Sequence, residues 1–519
     1  MTFNKINITE SLNATRELLK KNVNIDPALK AMIELLITII TLLTARLSMN
    51  SRNSSKPPSS NSNQKRNNRK NTSGRKPGGQ PGHTGTTLQP ADNPDNIVTL
   101  KLDRRKLPRG QYREAGFEKR QVVDIEISRV VTEYRAQILE DSKGNQYVAD
   151  FPEGIIQPIQ YGQSVKSHAV YLSQFQLIPY ERVADYFIHE ASIPVSAGSL
   201  FNFNREAFDR LAGFDQMARA RLSGVPVLHA DETGINVNGK RLWLHNASND
   251  KWTYFYPHNK RGSEAMDEIG ILPKFTGFLV HEHWKPYYTY TACQHALCNA
   301  HHLRELQWVI DNPEYKWAKA MQDLLLKINE AVKADPTGKL DAETGMAFRE
   351  HYRKILEEGL TEMPAPPPEP EVTGKKKRGR KKKTKEMNLL ERLRDYENDV
   401  LRFMEVSEVP FTNNQGENDI RMTKVQQKIS GSFRSMEGAM IFCRIRSYLL
   451  TAQKHGVKPA CALKTLFEGK LPDELTVFSA SLAERKASMC QHEHPHPYPS
   501  PLAKSAPGEG NCGFAQLPR

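Results

Sequence analysis

Glu417 is a carboxylate set among cations. The run Asn413-Asn414-Gln415-Gly416-Glu417-Asn418-Asp419-Ile420-Arg421 is followed by Lys424, Lys428 and Arg434. Glu417 precedes Arg421 by one helical turn. A carboxylate in such surroundings suits a protein that holds a divalent cation and a polyphosphate together. Two upstream acids can complete the set, Asp231 at the end of Pro226-Val227-Leu228-His229-Ala230 and Glu282 at the end of Thr276-Gly277-Phe278-Leu279-Val280-His281. Breaking a DNA phosphodiester needs an activated water or 3′-hydroxyl and neutralisation of a pentavalent transition state. Two Mg2+ ions roughly 3.5–4 Å apart meet both needs where oxygen ligands converge, and Mn2+ can substitute. Asp231, Glu282 and Glu417 are therefore the candidate catalytic and metal-binding acids. Each has a plainer alternative. Asp231 can be a turn carboxylate before Thr233-Gly234. Glu282 can pair with His283 or Lys285. Glu417 can serve the helix dipole or pair with Arg421.

Stepping outward from these acids, residues 225–300 must position them. Pro226–Asp231 reads as a strand, and Asn238-Gly239 as a hairpin turn. Arg241–Ala247 and Lys251–Tyr256 read as two further strands, joined by Asn249-Asp250, with a helix over Ser263–Leu272. Thr276–Glu282 is a fourth strand, apolar enough to be buried and parallel to the first. Three antiparallel strands, a helix and a parallel strand make the order of a ribonuclease-H-like sheet. Asp231 and Glu282 then end neighbouring strands, and Glu417 reaches them from a helix laid across that edge. A second cluster, Cys293, His295, Cys298, His301 and His302, carries zinc-type ligands, but its spacing matches no common finger. The reading preferred for it is structural, with His301 near the acids and Arg304 as a phosphate contact.

Flanking segments differ in character. Over residues 1–48, Leu29, Ile33, Leu36, Ile40, Leu43 and Leu47 form a 3.5-residue apolar stripe, which predicts either a dimerising coiled coil or a helix packed on its own domain. Residues 49–94 hold a Ser/Asn/Pro/Gly-rich linker. Its cations, Arg52, Lys56, Lys65, Arg66, Arg69, Lys70, Arg75 and Lys76, have no acid nearby, so it is expected to be disordered alone and open to phosphates. Alternation over 95–165 predicts a small β-rich module. Residues 166–222 read as helical and DNA-binding, with Ser196–Arg210 either half of a helix-turn-helix or a plain core helix. A helical insertion is expected over about 303–410. Within it lies a disordered segment, 362–386, where Lys375–Lys385 holds nine Lys/Arg in eleven residues around Arg378-Gly379-Arg380. That is either a minor-groove hook or a solubilising linker. The core is expected to close near residue 456, a C-terminal region to fill 457–488, and residues 489–519 to be disordered.

The bulk numbers agree with a DNA partner. Across 519 residues there are 73 Lys+Arg against 59 Asp+Glu, a formal charge of +14. Six scattered cysteines argue for a reducing compartment. The start, MTFNKINITESLN, has no apolar core of a secretory leader. Ala31–Ala45, the most apolar run, is too short for a bilayer of roughly 30 Å. The expectation is a cytoplasmic protein with no membrane contact.

Long motifs in the chain resemble the insertion-sequence-66 family of DDE transposases. They are Asn53-Ser54-Ser55-Lys56-Pro57-Pro58-Ser59-Ser60, Arg75-Lys76-Pro77-Gly78-Gly79-Gln80-Pro81-Gly82-His83, Ala230-Asp231-Glu232-Thr233-Gly234, Gly277 to Tyr288, His295 to Leu306, and Asn413 to Thr451. The resemblance implies a ribonuclease-H-like core with a helical insertion between the second and third acids. It carries the first acid to Asp231 and the third to Glu417. It also implies a bacterial, nucleoid-associated location. Two departures stand out. The family's second acid is an aspartate, and Glu282 holds its place; the extra methylene shifts the carboxylate by roughly 1 Å. Residues 91–165 contain no cysteine, so the zinc finger of many relatives is not expected.

The function so implied is a homo-oligomeric transposase. It binds the terminal inverted repeats of its element, cuts a strand at each end and joins the freed 3′-hydroxyl to target DNA. Arg75, Lys76, Arg304, Arg421, Lys424, Lys428 and Arg434 are the candidate DNA contacts, and accessory proteins of the element are possible partners. The rival readings are a catalytically impaired DNA-binding relic or regulator, and a nuclease that cuts without joining.

Overall fold

The computed structural model describes residues 2–3, 6–21, 25–47, 49, 53, 88–312, 315–363 and 383–476. Its centre is a five-stranded mixed sheet of Val227–Val237 (β1), Lys240–Ser248 (β2), Thr253–His258 (β3), Phe278–His281 (β4) and Gln294–Leu297 (β5). The order across the sheet is β3-β2-β1-β4-β5. β1, β2 and β3 are antiparallel neighbours, while β4 and β5 run parallel to β1. This order and these directions are consistent with a ribonuclease-H-like core.

Local chemistry explains the hairpins. Asn238 and Gly239 both take positive φ, at 48° and 73°, as a tight β1–β2 turn requires. Asn249 closes the β2–β3 turn by accepting from the Lys251 and Trp252 amides. β5, which follows β4 after only a short 3-10 turn, was not anticipated. It is four residues long and falls inside the Cys/His cluster, where alternation is too brief to read.

Alternate residues of the sheet feed different cores. Leu228, Ala230, Ala247 and Leu279 join one core with Phe214, Met266 and Tyr448. That core draws on Gln163–Val170 (α3), Tyr180–Ala191 (α4), Ala197–Arg210 (α5), Ala212–Ser223 (α6), Ser263–Ile269 (α7), Met436–Lys454 (α14) and Pro459–Phe467 (α15). Val227, Val280, Ala296 and Leu297 join a second core with the insertion helices Asn299–Asp311 (α8), Lys316–Ala334 (α9), Ala342–Glu362 (α10), Lys385–Asp395 (α11) and Glu397–Glu405 (α12). α5 buries Leu200, Phe203, Asn204 and Ala207, as a core helix does. The β3 edge is covered: Ser447 and Thr451 of α14 accept from the Phe255 and Thr253 amides.

Outside the core, Ile8–Lys21 (α1) and Pro27–Leu47 (α2) pack on each other through Leu19 and Ile37. Leu29, Leu36, Ile40 and Leu43 of the stripe are exposed, and the Leu47 side chain lies outside the described residues. Of the β-rich module expected over 95–165, the structure shows one hairpin, Ile138–Glu140 with Gln146–Val148. Apolar side chains there, such as Val122 and Ile125, are exposed. The expected disordered linker, basic segment and tail fall largely outside the described residues.

Gly277 marks where β4 enters the sheet. A Cβ there would lie 2.4 Å from the Pro226 carbonyl oxygen and 2.7 Å from that of Val225. Gly277→Ala is expected to lower stability by about 1–3 kcal/mol. A denaturant midpoint equal to that of the parent would contradict this packing.

Candidate active site

Strand alternation decides which of two adjacent acids faces the site. Asp231 shares its face with His229, and Glu232 points to the other side. Glu232 is taken there: its Oε1 accepts from Arg261 at 2.6 and 2.9 Å, and its Oε2 from the Tyr287 hydroxyl at 2.5 Å. Asp231 does not end its strand, as expected, but sits mid-way along β1. Pairing with β4 stops at His229↔Val280, so Asp231 lies where its parallel neighbour gives out. Glu282 directly follows β4, and Cys298 directly follows β5. Asp231, in mid-strand where the parallel pairing stops, thus comes to one edge with Glu282 and Cys298, which follow the carboxyl ends of β4 and β5.

Glu417 comes from Asn414–Ser430 (α13), a helix tethered at both ends. At its start, the Asn413 side chain accepts from His229 Nδ1 at 2.7 Å and donates to the Ala230 carbonyl at 2.9 Å. The Asn413 amide donates to Cys298 Sγ at 3.1 Å. Gly416 leaves room for this, since a Cβ there would meet Asn413 Oδ1 at 3.1 Å. Asn246 Nδ2 donates to the Gly416 carbonyl at 3.1 Å. Beyond the helix, Phe433 exchanges backbone hydrogen bonds with Asn236 and Asn238 at the far end of β1. Ile420, with Ile235, Val237, Leu244 and Phe433, fills the space between.

The acids meet electrostatically. Burial, then the charges of Glu282 and Glu232, push the Asp231 carboxyl well above its ordinary value, and Glu417 adds to the shift; the Glu232 amide opposes it. Burial also raises Glu282, but the His301 hydrogen bond and charge, helped by Arg261 and Arg304, bring it below its ordinary value. His301 lies between two acids, with Nε2 2.8 Å from Glu282 Oε1 and Nδ1 3.8 Å from Glu417 Oε1. Burial lowers its pKa, yet Cys298 and Glu282 together carry it up to about 10. Arg304 Nη2 is 3.9 Å from Glu417 Oε2.

The chosen cations divide. Lys424 Nζ donates to the Gly234 carbonyl at 2.5 Å, and its pKa is lowered by burial and Arg241 while Asp231 opposes. Glu417, Arg421, Lys424 and Lys428 follow i, i+4, i+7, i+11 along α13, so one helix face carries them over roughly 16 Å. Arg421, Lys428 and Arg434 are exposed. Arg75 and Lys76 lie outside the described residues.

Residues 158–441, more than half of the chain, match the transposase IS66 family. The chain belongs to that family. Membership makes it a DDE-type polynucleotidyl transferase that acts on DNA, of a kind that uses divalent metal. Residues 3–89 match a family of unknown function (DUF6444). No curated protein matches the chain. Among the described residues no helix is long and apolar enough to cross a membrane.

Reading the sequence missed Asn413, His229, Asn246 and Arg261. Asn413 stood in the very motif singled out, as an N-cap type before a helix, but its side chain serves the strand instead of its own helix. Cys298 was noted for its chemistry and not for its contact with Asn413.

Two outcomes test this geometry. Asn413→Ala strips buried groups of their partners and is expected to cost about 2–4 kcal/mol; a loss under about 0.5 kcal/mol, within the range of a surface change, would contradict the tether. His301 has a raised folded pKa, so its contribution is complete below about 6.5 and fades as pH rises through about 10. In chelator-treated protein, the stability gap between the parent and His301→Gln is expected to shrink as pH passes about 10. A gap independent of pH would contradict the ion pair.

Proposed function

We propose that the chain binds the ends of its insertion sequence, cuts there and transfers the freed 3′-hydroxyl to target DNA at Asp231, Glu282 and Glu417. The observation that supports this reading best is the electrostatic state of Asp231. Its carboxyl is crowded by three acidic neighbours, and bound cations would relieve that crowding. The donor set fits, since three carboxylates suit hard cations. Two Mg2+ ions, or Mn2+, would be held by Asp231 and Glu417 with Glu282 completing the set, and when bound would supply charge neutralisation and acidify a water or 3′-hydroxyl.

The chain's own groups prepare the rest. Asn413 ties the start of α13 to β1, and the charge of Glu417, one turn further on, reaches Asp231. Lys424, Arg421 and Lys428 form a cationic strip leading away from the acids, suited to a phosphate backbone. Arg304 lies beside Glu417, where a phosphate oxygen can be met. Arg434, and Arg75 with Lys76 in the linker, would extend the phosphate contacts. The exposed stripe on α2 supports assembly as a homo-oligomer.

A second reading is favoured by Glu282, which leans on His301: a DNA-binding regulator with an impaired centre. A strand-transfer assay on end-sequence DNA with Mg2+ or Mn2+ separates the two. The parent is expected to join strands, and Asp231→Asn or Glu417→Gln to lose at least about 10²–10³-fold. Activity only in Glu282→Asp would favour the regulator. Cut but unjoined products would indicate a nuclease.

A further inference from the structure

Cys298 and His301 are three residues apart at the start of α8, with Cys298 at its N-cap. That spacing sets both side chains on one face of the first turn. Facing them is Glu417, whose Oε1 is 3.9 Å from Cys298 Sγ and 3.8 Å from His301 Nδ1. Among the described residues these three are the group whose ligand atoms all lie within 4.8 Å of one another. Tetrahedral bonds of about 2.0–2.3 Å place ligand atoms roughly 3.3–3.7 Å apart, so the two distances to Glu417 need to shorten by a few tenths of an ångström and the sulfur–imidazole distance by no more than roughly 1.3 Å.

The surroundings are those of a metal site. His301 Nδ1 is buried and has no hydrogen-bond partner. Its other nitrogen, Nε2, is held by Glu282 at 2.8 Å. A ligating histidine is normally oriented in this way, by a carboxylate on the nitrogen that does not bind metal. Cys298 Sγ accepts the Asn413 amide at 3.1 Å, which fixes the sulfur at the start of the helix facing Glu417. The aspartate expected at position 282 is one methylene shorter, so the glutamate has the longer reach toward His301.

We propose that Cys298, His301 and Glu417 bind one transition-metal ion of the zinc class, through sulfur, nitrogen and oxygen, with Glu282 orienting the histidine and a fourth position open to water. Binding releases the thiol proton and the Nδ1 proton to solvent. Because Glu417 is shared, this state excludes Mg2+ from that carboxylate. A thiolate and an imidazole select zinc or cobalt over magnesium. The site needs only these side chains and stands whether or not the chain transfers strands.

Co2+ titration of the full-length, chelator-treated protein tests it. The parent is expected to develop a thiolate-to-cobalt charge-transfer band and intense visible bands, both removed by added Zn2+. Cys298→Ser keeps an acceptor for the Asn413 amide, so the fold is retained, but the charge-transfer band is expected to vanish. Glu282→Gln is expected to weaken Co2+ binding about 10–100-fold. The C-terminal run with Cys490, His492, His494 and His496 is the competing thiolate–histidine site. Cys490→Ser is therefore expected to leave the band in place. A parent without the band, a band that survives Cys298→Ser, or one lost only in Cys490→Ser would overturn the proposal. The strand-transfer result has no bearing on these outcomes.

Discussion

One asparagine joins three distant parts of the chain. Through its side chain and its amide, Asn413 holds His229, Ala230 and Cys298, and so the start of α13 to the ends of two parallel strands. Glu417 is one turn further along. Its position near the strand edge therefore depends on hydrogen bonds made by a neutral residue. Both Asn413 and its partner His229 are buried, and burial keeps that histidine's pKa below its ordinary value. The contact requires a proton on Nδ1, and burial favours the neutral tautomer that carries it there, while the bond to Asn413 pulls the other way.

The site brings like charges together at a half-exposed edge of the sheet. Glu232 faces the other side of the sheet, where Arg261 pairs with it and the Tyr287 hydroxyl donates to it, yet burial and the charge of Glu282 still raise its pKa. Asp231 has no such partner and carries the strain as a raised pKa. Glu282 and Glu417 share His301. Imidazolium thus serves as a built-in counter-charge, and cations that enter the site must compete with it. Hard cations would draw on the three carboxylates, softer ones on Cys298 and His301. On these proposals Glu417 would belong to both sets, and the two states would be alternatives.

Much of this was legible in the sequence. The first four strands, the hairpin at Asn238-Gly239, the parallel relation of β1 and β4, and the insertion helices all follow from periodicity and turn chemistry. Asp231, Glu282 and Glu417 stood out as acids at the ends of apolar runs or amid cations. β5 did not, because its four residues begin with Gln294 and His295 and form no apolar run, whereas β4, of equal length, lies in one. Asn413 and Asn246 did not, because an asparagine's partner depends on tertiary contact. The alternation over 95–165 promised strands, and the chain there forms one hairpin; a pleated pattern makes a sheet only where another strand or core receives it.

The most direct measurement of the central claim is Mn2+ binding to full-length protein, followed by electron paramagnetic resonance. If Asp231, Glu282 and Glu417 gather around neighbouring cations, the parent will show a spectrum broadened by two coupled Mn2+ ions. Asp231→Asn and Glu417→Gln will each remove the coupling. An uncoupled spectrum, identical in the parent and both variants, would contradict a shared site and leave the three acids with separate roles.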